Sequence, residues 1–272
     1  MNLQSLVDRG FQVEFLSHAQ AILATDFPSA LQELETALGA LTIPIEEIVG
    51  SGGGETKGTQ RLRKALARSG WQKMTFEIKK IINGVERESQ SHVVDHVRTV
   101  KGSGVIALEI EWNNKDPFFD RDLENFKRLH AEGAISVGII VTRGVSMQDE
   151  MRSLVKRFAE ERKLSSLEDL AAINLSPTRR QKDDYVRRMK RPGVSFADAW
   201  SASFVKDKYG TATTHWRKLE DRVQRGVGNP CPLLLVGLPA SIVTFGEPEV
   251  EVEKLLEEAR NDVEASNGPS VE

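Results

Sequence analysis

The stretch VIALEIEWNNKDPFFDRDLENFKRLHAEGAISVGIIVT, residues 105–142, decides the fold. Val105 to Leu108 is an apolar run that continues as a strand to Trp112. Residues 113–117 break it at Pro117. Residues 118–132 then read as a helix, with Phe119, Leu123, Phe126 and Leu129 on one side at three-to-four spacing. Residues 134–142 are almost continuously apolar, the pattern of a central strand covered on both faces. A strand, a helix and a buried strand in this order predict a β-α-β unit with parallel strands and a right-handed crossover.

On the N-terminal side, residues 71–82 and 85–97 form two strands around Asn83-Gly84, the strongest short hairpin signal. Lys101 to Gly104 turns the chain into the 105–112 strand. Further upstream, Phe11, Phe15, Ala19, Ile22 and Leu23 recur at helical spacing, so residues 11–41 are expected to be helical, broken at Asp26-Phe27-Pro28 and stopped at Gly39. The stretch GSGGGETKGTQRLRKAL, residues 50–66, reads as a glycine loop opening a basic helix at Glu55. It lacks the Gly-Lys-Ser/Thr ending of a phosphate-binding loop. On the C-terminal side, residues 146–161 are helical. A looser basic stretch runs to Lys208, residues 215–224 are helical, and the apolar run 231–238 is a last core strand rejoining the sheet. The fold class is therefore α/β, a mixed central β-sheet flanked by helices. One domain over residues 1–260 is expected: a helical part (1–49), a core (50–162) and a region with the return strand (163–240). Residues 261–272 are expected to be a disordered tail.

Composition narrows the class. The chain has 272 residues, 39% hydrophobic and 28% charged, with net charge −3. That is an ordinary globule with no apolar run of membrane length. The N-terminus lacks a basic region followed by an apolar one, so no secretory signal is expected. Lone Cys231 permits no internal disulfide, and with five scattered histidines it gives no zinc spacing. The expected location is the cytoplasm. The charge is uneven: residues 176–225 carry 13 Lys/Arg against 6 Asp/Glu, and residues 247–272 carry 2 against 9. The basic block is either a solvated surface or one that faces a polyanion.

Glu109 and Glu111 lie two apart on a strand, so they share one face, roughly 7 Å apart. Antiparallel pairing across the 101–104 turn brings Asp95 near both. Three close carboxylates repel, and burying them uncompensated is costly. A divalent cation resolves this, and Mg²⁺ prefers such oxygens. The competing reading is that the acids pair with lysines or face solvent.

Asp95, then Glu109-Ile110-Glu111 on the next strand, then a helix and an apolar strand ending in Thr142-Arg143-Gly144, resembles the BglII/BamHI group of type II restriction endonucleases. That group lies in the PD-(D/E)XK nuclease superfamily. The resemblance covers about fifty residues firmly, Val94 to Gly144, and some two hundred loosely. It implies a PD-(D/E)XK fold in which Asp95 and Glu109, with the carbonyl of Ile110, ligate Mg²⁺. Glu111 stands where most of the superfamily has Lys, although members of this group carry Glu or Gln there. Its implied roles are to orient or deprotonate the attacking water, or to hold metal-bound water. Glu55 matches, by position, an auxiliary acid. The implied reaction is cleavage of both strands of a short palindromic site by a metal-activated water, leaving 5′-phosphates. A two-fold homodimer through the 118–132 helix and a cognate DNA methyltransferase are implied as partners.

Such an enzyme must hold double-stranded DNA through Lys/Arg contacts to phosphates. The candidates are Lys57 and Arg61 on the helix after Glu55, and Lys115 and Arg121 beside the acids. Thr213, Thr214, His215, Arg217, Lys218 and Arg225 form a later block. Arg143, Ser146 and Gln148 lie where the resembled enzymes place base-reading residues. Thr213 or Thr214 also suits a helix cap, and Trp216 suits the core. The rival readings are a repair or junction nuclease on the same core, or a non-catalytic DNA-binding protein.

Overall fold

A computed structural model describes residues 3–50 and 56–246. Glu55, expected as an auxiliary acid, and the C-terminal tail lie outside the described residues. The elements run in chain order. First come α1 (Gln4–Asp8), β1 (Gln12–Leu16), α2 (Ala19–Asp26), α3 (Pro28–Gly39), β2 (Ile43–Pro44), α4 (Ile45–Val49) and α5 (Lys57–Arg68). Next are β3 (Gln72–Ile82), β4 (Val85–Val100), β5 (Gly104–Glu111), α6 (Phe118–Ala131), β6 (Val137–Arg143) and α7 (Val145–Glu161). The chain continues through α8 (Leu167–Ala172), α9 (Arg179–Met189), α10 (Phe196–Lys208), α11 (Trp216–Gln224), β7 (Leu233–Leu238) and β8 (Val243–Thr244). Among these, no helix is long and apolar enough to cross a membrane.

Six strands form one mixed sheet in the order β1-β7-β6-β5-β4-β3. The three central strands β5, β6 and β7 are parallel, and the outer pairs are antiparallel. The expected β-α-β unit is present, with α6 joining adjacent parallel strands, and the last apolar run rejoins the sheet. Asn83 and Gly84 both adopt positive φ (53° and 76°), as a type I′ hairpin turn requires.

Alternation along the central strands divides the core into two layers. Ile106, Leu108, Val137, Ile139, Val141, Leu234 and Val236 face a large cluster with residues of α2, α3, α5, α7 and α10. Ala107, Ile140, Leu233 and Leu235 face the other way, against Phe119, Leu123, Phe126 and Leu129 of α6 and Trp216 and Leu219 of α11. Glu109 and Glu111 share the parity of Ala107, so they point toward the α6 side. Gly138 lets α6 approach: a Cβ there would stand 2.4 Å from Phe126 Cδ2.

Three expectations need correcting. Residues 12–16 are a strand, not part of a helix: they pair antiparallel with β7 from Gln12↔Gly237 to Leu16↔Leu233. The helical spacing of Phe11 and Phe15 is overridden by this long-range pairing. The helix begins only at Ala19, after Ser17 and His18 in left-handed conformation (φ 49° and 65°). Residues 179–189 of the basic stretch form helix α9, capped by a Thr178–Gln181 box and tied down by buried Asp184, which receives Arg187, Arg188, Lys206 and Ser203. Helix α11 is not capped by a threonine. Its N-cap position is His215, which makes no side-chain cap bond. Thr213 Oγ1 donates to the Gly210 carbonyl, and Thr214 Oγ1 accepts from the Asn114 N–H.

Candidate active site

The end of β5 delivers both glutamates to one place. Glu109 lies opposite Ile140 and Glu111 opposite Thr142 in the parallel β5–β6 pairing, and the Thr142 hydroxyl donates to the Glu111 carbonyl at 2.7 Å. On the other side the last β4–β5 pair is His96↔Leu108, so the antiparallel register puts Asp95 across from Glu109. The Asp95 N–H points at Glu109 Oε1, 3.4 Å away. The β3–β4 register slips here: Gln72 pairs with Val97 but Met74 with Val94, so β4 carries one extra residue at Asp95–His96. Such a bulge re-aims side chains at a strand's working end. The Asp95 carboxylate turns outward, 3.0 Å from Lys73 Nζ.

Glu109 and Glu111 are 6% and 3% exposed, so the reading with both facing solvent is wrong. A fourth acid joins them, one that sequence reasoning missed. Asp122 of α6 is 1% exposed; its Oδ1 accepts from Arg121 Nε at 2.8 Å, and its Oδ2 is buried without a hydrogen-bond partner. A signal existed in the sequence. Asp122 stands three residues after Phe119 and four before Phe126, so an acid occupies the apolar face of the helix.

Burial chiefly, and then the charges of Asp122, Asp95 and Glu111, push Glu109 up to about 9. Glu111 is also raised, by burial and by Asp122, against the lowering effect of Asn114 and Arg121. Asp122 is raised by burial despite Arg121. The donors around these acids are few: the Asp95 N–H to Glu109 Oε1 at 3.4 Å, Asn114 Nδ2 to Glu111 Oε2 at 2.7 Å, Arg121 to Asp122, and a 3.7 Å approach of Arg121 to Glu111 Oε1. Among the described residues, no group of three acidic, histidine or cysteine side chains converges closely enough to hold one ion. The donor set nevertheless fits a hard divalent cation. It is all oxygen, and its acids outnumber the cations beside them.

The expected DNA-contacting residues fall into separate groups. Arg121 is exposed beside the acids. Lys115, also exposed, bridges to Thr213 across the loop that follows β5. Arg143 is 0% exposed. Its Nε donates to the Trp112 carbonyl at 2.8 Å, and its terminal nitrogens to Gln148 Oε1, Thr213 Oγ1 and the Thr214 carbonyl. It also lies over the Tyr209 ring at 5.1 Å. Arg143 therefore pins three segments together and offers no donor to a base in this structure. Ser146 Oγ accepts from the Ala240 N–H, and Gln148 donates to the Tyr209 carbonyl. Thr214 and His215 are buried, and burial with neighbouring Arg143 lowers His215 to about 4. Arg217 pairs with Asp149 and Lys218 with Asp116, while Arg225 is exposed past the end of α11, beside Asp221. On α5, Lys57 is exposed, but Arg61 is spent on Glu47 and the Thr42 carbonyl.

The sequence profile of the family described as Restriction endonuclease BglII/BglIII matches residues 11–238 of the chain. A comparison with curated proteins finds no match.

Proposed function

The chain belongs to the BglII/BglIII restriction endonuclease family, and from that premise we propose that it hydrolyses both strands of a short palindromic DNA site, with Mg²⁺, to leave 5′-phosphates. It is a type II restriction endonuclease, a phosphodiester hydrolase that acts on DNA at specific sites, and enzymes of this kind generally use divalent metals. The observation that carries the finer reading is the burial of Glu109, Glu111 and Asp122 as neighbours with few donors beside them.

Asp95 and Glu109, with the Ile110 carbonyl, are the proposed metal ligands. A divalent cation bound there supplies positive charge to the scissile phosphate and lowers the pKa of a water. Glu111 takes the place of the usual superfamily lysine as the group that receives the water's proton. Asn114 fixes its Oε2, and the carboxylate's other neighbours are Asp122 and, at 3.7 Å, Arg121. Burial makes this carboxylate more basic than an exposed one, which brings it closer to the range a general base needs at neutral pH. Lys115 and Arg121 flank the acids on exposed positions and are the proposed phosphate contacts. The palindromic site implies a two-fold homodimer, with α6 as the contact element. A methyltransferase of the same specificity is the expected partner in the cytoplasm, and residues 1–260 act as one endonuclease unit.

Digestion of plasmid DNA with Mg²⁺ or with EDTA, followed by sequencing of the ends, tests this reading. Discrete Mg²⁺-dependent bands with 5′-phosphates at one palindrome are expected. A smear, or nicking that follows DNA structure rather than sequence, would refute it. Full cleavage by a Glu109→Ala variant would remove Glu109 from the metal site.

A further inference from the structure

Two exposed cations stand over the acids. Lys73, at the start of β3, contacts Asp95 at 3.0 Å, and Arg121, in the first turn of α6, contacts Asp122 at 2.7 Å and approaches Glu111 at 3.7 Å. Their side chains are 68% and 54% exposed, so both reach the acids from the solvent side. The Arg121 guanidinium also rests over the Phe118 ring at 4.4 Å. Asp95 spends its carboxylate on Lys73 and gives Glu109 only a long backbone N–H contact. The acids are neighbours in the fold, yet their carboxylates do not converge.

The Lys73–Asp95 pair is exposed on both sides, and pairs of that kind are weak and exchange readily. Arg121 is itself half-exposed and reaches its buried partners from the solvent side. A phosphodiester offers an arginine two oxygens in the geometry its planar fork prefers, and it offers a lysine a strong point-charge partner. Both cations lie beside the carboxylates proposed to act on the scissile phosphate, where the DNA backbone would arrive.

We propose that Lys73 and Arg121 are gate cations: in the DNA-free protein they occupy Asp95 and the Glu111–Asp122 pair, and DNA phosphates, by taking these two side chains, release the carboxylates to converge on a divalent cation. The proposal rests on the metal-site reading above. It makes cation loading and DNA binding mutually reinforcing, because whatever displaces the gates for one ligand favours the other. It also gives Asp122 a positioning role, as the anchor that keeps Arg121 over the site.

Two measurements test it without cleavage. The first is calorimetric titration of Mn²⁺ into DNA-free wild type, Lys73→Ala, Arg121→Ala, the double variant and Glu109→Ala. Each gate variant is expected to bind Mn²⁺ roughly two- to fivefold more tightly than wild type, and the double variant more tightly still. Glu109→Ala is expected to lose the site. The second is binding of a fluorescent duplex in EDTA across a salt series, where each gate variant should flatten the slope of log K against log salt by about 0.9. If the double variant binds Mn²⁺ no more tightly while Glu109→Ala abolishes binding, the gate is wrong and the metal site stands. An unchanged salt slope also overturns the gate, because the two side chains then never pass to phosphate. Unaltered Mn²⁺ binding by Glu109→Ala overturns both the metal site and the gate built on it.

Discussion

Asn114 Nδ2 donates to Glu111 Oε2 across 2.7 Å. The backbone of Asn114 is tied to Thr214, which accepts its N–H at 3.1 Å on the hydroxyl and donates an N–H to its carbonyl at 2.9 Å. The loop after β5 therefore fixes one oxygen of Glu111. Asn114→Ala removes that donor and leaves the backbone staple in place. A lost hydrogen bond to a charged group costs about 1.5–3 kcal/mol, so kcat should fall roughly tenfold to a hundredfold. Duplex affinity in EDTA should change far less. Steady-state kinetics alongside anisotropy separate the two, and an equal loss in both would make Asn114 a DNA contact instead.

The pH dependence of stability should carry the signature of Glu109. Its carboxyl is raised to about 9 in the folded protein, mainly by burial, against about 4.3 in an unfolded chain. The folded state therefore holds a proton that the unfolded state releases between these values. Stability from this group is fully present below about pH 4.3 and is lost as pH rises toward 9. In EDTA, Glu109→Gln should raise the melting temperature at pH 8 relative to wild type and show little gain at pH 4.5. A gain independent of pH would mean that the cost of ionising buried Glu109 is not what the glutamine relieves.

Much of the site was legible because its signals are local. The i, i+2 spacing of Glu109 and Glu111 put both on one face whatever the rest of the chain did. Asn83-Gly84 set the hairpin through its own dihedral preferences, and the phenylalanine and leucine spacing of α6 marked its buried side. What failed depended on distant partners. Residues 12–16 become a strand only because β7, more than 200 positions later, offers an edge to pair with. The burial of Arg143, which reads as a DNA contact from its place after an apolar strand, likewise depends on Thr213 and Thr214, seventy positions away, and bears on that role without overturning it. Asp122 could have been found, since an acid on the apolar face of a helix is a local anomaly.

Arg143 offers a direct choice between a structural and a recognition role. Its guanidinium satisfies four acceptors at once, and burial lowers it to about 10. A lysine has one nitrogen on a flexible stem and cannot reproduce that fork. Arg143→Lys should lower unfolding free energy by about 2–4 kcal/mol, read from urea midpoints at unchanged m-value, because several buried acceptors lose their donors. If the variant instead kept wild-type stability and cut at altered sequences, Arg143 would be a base-reading residue after all.

Gly138 tests whether α6 must lie so close to the sheet. A Cβ at this position would meet Phe126 Cδ2 at 2.4 Å and Cγ at 2.8 Å. These atoms lie at the ring's root and flank, so the ring cannot simply swing its tip away. Gly138→Ala must push α6 outward or force Phe126 off its rotamer, which costs about 1–3 kcal/mol. The same helix carries Asp122 and Arg121, so a shift of α6 also moves two groups of the acidic centre relative to Glu109 and Glu111. The expected result is a lower melting temperature together with a fall in kcat that persists well below that temperature. Restored stability with Phe126→Leu added, but without restored kcat, would show that the helix position and not global unfolding sets the rate. Full activity in the single Gly138→Ala variant would show that the cleavage geometry does not depend on how closely α6 is seated.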